Sequence, residues 1–193
     1  MKIVALSDRL RKYEDRQATK LHFVFSHLPP YEILERDTAD HRVWRFRVGV
    51  KNVWQERLHQ CCVKLDAISP RGERFLSRNL KLATDSPSDV LNIPHKQAFP
   101  LNPDEEELID VVRVHQRTNG PVEAEICYAL EGVRDLQFPV EIVKQSQIQV
   151  EEYLLTLKAV CDIGRSASET YVVELSGDVP RFRPLHEIIE KPA

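Results

Sequence analysis

Residues 43–50, Val-Trp-Arg-Phe-Arg-Val-Gly-Val, alternate strictly between two kinds of side chain. Trp44, Phe46, Val48 and Val50 share one parity, and Arg45 and Arg47 share the other. A period of two places each set on one face of a pleated strand. One apolar and one charged face predict an antiparallel strand with its core on one side and water on the other. The same period returns in Leu21–Phe25, in Cys61–Ala67 and in Tyr171–Leu175. Leu108–Val114 and Glu123–Leu130 flank Asn119-Gly120, whose residues tolerate positive φ and so predict a hairpin. Further strands are expected over Phe138–Val143, Ile148–Ala159 and Arg181–Pro184, with a β-bulge near Glu151-Glu152, where the parity changes.

The segments between them read as breaks. Pro29-Pro30 stops the first strand, because proline has no amide to give to a ladder. Residues 35–41 read as a polar loop, residues 69–72 as a turn before a short return over 75–82, residues 84–97 as a long loop, and residues 101–107 as a connection. One helix is expected, at about residues 4–19, with Ser7 as its cap and Ile3, Leu6, Leu10 and Tyr13 at helical spacing. The last ten residues are expected to form one helical turn or to fray. Many short strands with frequent turns and almost no helix predict an all-β chain folded as an antiparallel sandwich, with a closed barrel second. Alternating helix and strand units are absent from the pattern, which disfavours a parallel α/β fold.

The 193 residues fit a sandwich domain at 21–185, behind a helical extension at 1–20 and before a tail at 186–193. A net charge of −3 argues against nucleic acid held by a broad basic face, and six glycines are few for a phosphate-cradling loop. The apolar run Ile3–Leu6 is too short for a signal-peptide core, and no stretch is long enough to span a bilayer. Cys61, Cys62, Cys127 and Cys161 read as buried or half-buried thiols, which fits a reducing, cytoplasmic setting. Association with a membrane would then run through a partner or another segment.

The order of these features resembles an immunoglobulin-like module of uncharacterised bacterial proteins, often found beside membrane-spanning helices. The residues that carry the resemblance are Pro29-Pro30-Tyr31, Arg45–Asn52, Cys62–Leu65, Phe99–Pro103, Ile109–Val112 and Tyr153–Ala159. It covers about residues 21–185 and implies an immunoglobulin-like sandwich. It attaches no catalytic residue, and fold alone does not give function.

Four groups of residues were weighed for chemistry. His59-Gln60-Cys61-Cys62 has zinc-ligand atoms but no second spaced pair, so the cysteines read as small core residues and no metal or cofactor is expected. His41, placed in a loop, and His115, at a strand end, read as solvated histidines outside any nucleophile motif. Asp104–Glu107 lacks the spaced carboxylates of a calcium loop and reads as a solvated guard on the following strand. Trp54, in a polar connection, and Arg45 and Arg47, on the wet face, are the candidate ligand-binding or partner-binding residues. The sequence therefore points to a non-catalytic protein-interaction or sensing module in a larger assembly. The alternative is a carbohydrate or small-ligand sandwich centred on Trp54, and the third reading a metal-dependent hydrolase using His59 and Cys61.

Overall fold

The computed structural model describes residues 20–69, 79–83, 98–118, 120, 122–127, 152–163, 166–176 and 178–189. Within them the chain is all-β and antiparallel. The strands run β1 (Leu21–Val24), β2 (Glu32–Asp37), β3 (His41–Asn52), β4 (Leu58–Ser69), β5 (Lys81–Leu82), β6 (Phe99–Leu101), β7 (Glu106–Arg117), β8 (Glu123–Ile126), β9 (Glu152–Val160), β10 (Ser166–Glu174) and β11 (Arg181–Pro184). A single short helix, α1 (Leu185–Ile189), closes the described chain.

Two sheets result. In the first, β3 and β7 pair along nearly their whole length, from His41↔Arg117 to Lys51↔Glu106. β1 and β2 share the outer edge of β3, while β5 and β8 share the outer edge of β7. The second sheet runs β11-β10-β9-β4-β6. Their facing sides bury one core, to which Phe46, Val48 and Val50 of β3 and Val63 and Leu65 of β4 contribute, with Leu155, Leu157, Tyr171 and Phe182. At one end the core is aromatic. Tyr171 and Phe182 stack at 4.8 Å, Phe46 lies 5.6 Å from Phe182, and Phe25 meets Phe182 edge-on at 5.3 Å. Offset and edge-on contacts suit the ring quadrupoles and tie the two sheets together.

Three departures from the sequence pattern have physical causes. Residues 35–41 are not a loop: β2 ends at Asp37, and only residues 38–40 turn into β3. The backbone of β2 fills the open edge of β3, and its two apolar residues, Ile33 and Leu34, are adjacent among charged ones, so no apolar alternation marks it. Residues 101–107 are not simply a connection either, since Phe99–Leu101 pairs with β4 through buried Phe99 and Leu101, and β7 begins at Glu106. His41 opens β3 rather than sitting in a loop. The Asn119-Gly120 signal does mark the β7–β8 hairpin, and α1 matches the expected helical turn. The helix expected at 4–19, the turn after residue 69, the loop at 84–97, the strand at 138–143 and the parity change at 151 lie outside the described residues. No helix among the described residues is long and apolar enough to cross a membrane.

The passage from β3 in one sheet to β4 in the other is fixed by Asn52, which is fully buried. Its Nδ2 donates to the carbonyls of Glu56 and Leu101, at 2.9 and 3.1 Å, and its Oδ1 accepts from the Trp54 amide at 2.9 Å. Its backbone bonds Glu105 and Asp104. One side chain thus joins the β3–β4 turn to β6 with every polar atom satisfied. Asn52→Ala leaves a buried carbonyl and an amide without partners, and is expected to cost on the order of 1–3 kcal/mol. A urea-denaturation midpoint unchanged from wild type would contradict this.

Candidate functional site

Arg45 and Arg47 do not project into water. Arg45 is only 8% exposed and Asp110, on β7, 2%. The Asp110 carboxylate bridges them, with Oδ2 accepting from Arg45 Nη1 at 2.8 Å and Oδ1 from Arg47 Nε at 2.6 Å. Glu35 adds a second bridge, placing Oε1 2.5 Å from Arg45 Nη2 and Oε2 3.1 Å from Arg113 Nε. The expected wet face is therefore corrected to an ion network that spans β2, β3 and β7, buried at Arg45 and Asp110, half-buried at Arg47 and Arg113 and open to water at Glu35.

A bulge in β7 makes this network possible, and a second bulge lies beside it in β2. The β3–β7 register runs Phe46↔Val112 and then Arg47↔Asp110, so Val111 is an extra residue in β7. Without it, Asp110 and Arg113 would fall on opposite faces, because side chains alternate along a strand. With it, both face Arg45 and Arg47, while Val111 and Val112 are both buried. In β2 the register skips from Leu34↔Trp44 to Arg36↔Val43, which leaves Glu35 as the bulged residue turned to two guanidinium groups. Cys127 lies at the rim, its amide bonded to the Val111 carbonyl. Burial pushes its thiol up to about 12, and the Asp110 charge adds to the shift.

The network holds β2 and its approach against the sheet. In the loop before β2, the Leu28 amide donates to Ser26 Oγ at 3.3 Å, and the Leu28 carbonyl accepts from the amides of Tyr31 and Glu32. The Tyr31 carbonyl accepts from the Arg47 amide at 2.7 Å, and its hydroxyl donates to Glu106 Oε1 at 2.6 Å. Burial and that carboxylate raise the Tyr31 hydroxyl to about 12. Gly49 makes room for Glu106: a Cβ there would meet its carboxylate at 2.0 Å. At the tip of this anchored loop Leu28 is 68% exposed, beside exposed Pro29 and Pro30, and Leu34 on β2 is 38% exposed.

At the far end of the same sheet His41 and His115 stack, with Nε2 and Nδ1 3.3 Å apart and Glu125 3.5 Å from His115. His41 holds its proton less tightly than an ordinary histidine. Partial desolvation is the main cause, followed by His115, Arg36 and Arg117, with Glu123 opposing. Trp54 is half-buried, packs on the core and lies under the Lys20 ammonium. The structure thus separates the three candidate residues, with Arg45 and Arg47 in the network and Trp54 in the β3–β4 turn. His59 and Cys61 are not brought together as ligands: His59 is exposed, while Cys61 is in the core. Of the acidic run, Glu105 receives the Asn102 amide and Glu106 opens β7. Among the described residues no group of three or more His, Cys, Asp or Glu is arranged to hold a metal ion.

Asp110, Glu35 and Leu28 were missed as site residues. A lone Asp inside Ile109-Asp110-Val111-Val112 was the readable signal for a buried charge. Searches of protein-family models, curated proteins and solved structures find no match to this chain.

Asp110→Asn removes the charge that neutralises two guanidinium groups out of water. Breaking a buried pair in this way is expected to destabilise the fold by about 3–5 kcal/mol, read from urea denaturation. A loss below 1 kcal/mol would show that the arginines find water instead.

His41 predicts an acid limb. Its proton binds more weakly in the folded chain, so the unfolded state takes up protons first as the pH falls. Stability from this group is complete above about pH 6.5 and declines below it. The midpoint of denaturation, measured at pH 7.5 and 5.5, should fall less for His41→Gln than for wild type. Equal falls would remove His41 as the cause.

Proposed function

We propose that this chain is a non-catalytic protein-interaction module, an immunoglobulin-like sandwich within a larger assembly, whose partner docks on the loop before β2 and on β2 itself. The observation that carries the reading is Leu28, 68% exposed on a loop fixed by backbone, hydroxyl and carboxylate bonds. A large apolar side chain held in water on a rigid support is the usual anchor of a protein interface, because little ordering entropy opposes docking. Pro29, Pro30 and Leu34 extend the apolar surface. The partner this chemistry fits is a protein with an apolar pocket that takes Leu28 with its neighbouring prolines. Arg45 acts in this reading as a positioning residue for β2 through its pairing with Glu35, and Arg47 shares the Asp110 carboxylate that holds Arg45. The two packed antiparallel sheets support the immunoglobulin-like part of the proposal.

The carbohydrate reading rests on Trp54 and has weaker support, because the indole packs on the core and Lys20 lies over its ring. The hydrolase reading draws no support from His59 and Cys61 as they are placed.

The test is chemical crosslinking in extracts of the source cells, comparing wild type with Leu28→Asp. Leu28 is exposed, so the variant should keep its stability within about 0.5 kcal/mol. The expected result is a partner crosslinked by wild type and reduced at least about tenfold in the variant, the size of effect a hot-spot residue carries. Equal crosslinking by both proteins, or no protein partner for either, would overturn the proposal. A saturable change in Trp54 fluorescence with a glycan would favour the carbohydrate reading instead.

A further inference from the structure

The β4–β9 ladder ends in a pair of cysteines whose placement has a chemical consequence. The register runs Leu65↔Leu157, Lys64↔Lys158, Val63↔Ala159 and Cys62↔Val160. One step further sets Cys61 opposite Cys161. Both belong to the buried core, at 0% and 7% exposure, so both side chains point to the inner face. Beyond them Gln60 takes a φ of 51° and absorbs one residue, so the Asp162 amide donates to the His59 carbonyl at 3.1 Å.

That last bond fixes the kind of pair they form. Amides alternate in direction along a strand, so if Asp162 points its amide at β4, Val160 does too and Cys161 does not. Cys61 and Cys161 therefore occupy a non-hydrogen-bonded position, where opposed Cα atoms sit about 4.5 Å apart and side chains are closest. A disulfide accepts Cα separations of about 4.4–6.8 Å. Proximity has a second sign: after burial, the charge of Cys161 is the largest influence raising the Cys61 thiol, to about 12.

We propose that Cys61 and Cys161 are a modification site, a cross-strand dithiol that closes to a disulfide on exposure to a peroxide. Both are thiols in the structure. Cys161 lies at the open end of β9, next to exposed Asp162 and Ile163, and is the sulfur that a small oxidant meets. Its thiolate attacks one peroxide oxygen. The O–O bond breaks, hydroxide leaves, and Cys161 becomes a sulfenic acid. Cys61 then attacks the Cys161 sulfur, the S–O bond breaks, and the thiol proton leaves with the hydroxide as water. Two thiols and one hydrogen peroxide give one disulfide and two waters, with two electrons passing from sulfur to oxygen. Burial of Cys61 makes the second step slow, so closure follows sustained oxidant rather than a brief pulse. Among the described residues, Cys62, on the outer face, and Cys127, at the rim of the ion network, have no such opposite number in the register.

The test is hydrogen peroxide treatment of the folded chain, quenching, alkylation with N-ethylmaleimide in denaturant, and tryptic mass mapping. The expected product joins the peptide of residues 58–64 to that of residues 159–165, two hydrogens lighter than the sum of the two thiol peptides, with Cys127 alkylated. Because residues 58–64 carry both Cys61 and Cys62, Cys62→Ser is treated in parallel and should keep the crosslink, whereas Cys61→Ser should lose it. Circular dichroism before treatment establishes that each variant is folded. A crosslink that persists in folded Cys61→Ser and vanishes in Cys62→Ser would overturn the assignment. So would full alkylation of all four cysteines in wild type, or Cys161 driven to sulfinic acid with no crosslink.

Discussion

The carboxylate of Asp110 is the constraint around which the first sheet is arranged. A charge this deep is tolerated only when its partners and hydrogen bonds are all in place, because the desolvation cost is otherwise uncompensated. Two guanidinium groups from β3 supply the partners, and the Glu35 carboxylate in turn pairs with Arg45 and Arg113. Asp110 and Arg113 would not share a face in a straight ladder. The bulge at Val111 is thus the backbone's answer to a side-chain requirement. The sheet bends locally, and β2 is fastened to β3 by ionic contacts as well as by its ladder.

Much of the all-β architecture was readable from the period of two. Phe46, Val48 and Val50 lie in the core as their parity requires, Arg181–Pro184 forms a strand with the expected limits, and Asn119-Gly120 marks its hairpin. The charged parity of β3 was read as wet because alternation reports polarity and not depth. Whether Arg45 meets water depends on Asp110, 65 residues away, and on a bulge that shifts parity by one. β2 escaped for a related reason, since Ile33 and Leu34 sit side by side among charged residues and leave no apolar alternation to detect. Trp54 was rightly placed in the β3–β4 connection, but its burial depends on Asn52 drawing the turn inward.

The network also changes what Arg45 and Arg47 are for. A guanidinium that recognises a partner's carboxylate or phosphate needs open donors facing solvent. Both side chains instead direct donors at Asp110 inside the protein. In the proposed reading their effect on a surface is indirect: Arg45 pairs with Glu35 and shares Asp110 with Arg47, while the Arg47 backbone amide bonds the Tyr31 carbonyl in the segment that carries Leu28 and Leu34. An apolar anchor on a mobile loop would lose part of its binding free energy to ordering. On a segment bonded to Arg47, Glu106 and Ser26, that loss is already met in the folding of the chain.

In the proposed reading the ion network has a role beyond stability. Apolar replacement of a buried ion cluster as a unit is often neutral or stabilising, so a fold under selection only for stability has little need of one. What an apolar cluster does not supply is direction, since a methyl packs acceptably in many orientations and a bidentate carboxylate in few. The pairing of Glu35 with two guanidinium groups fixes the register of β2 at its bulge, where the ladder alone is weakest. In the proposed reading the ion network therefore belongs with the exposed leucines: the network specifies where β2 lies, and Leu28 and Leu34 are what β2 and the loop before it present.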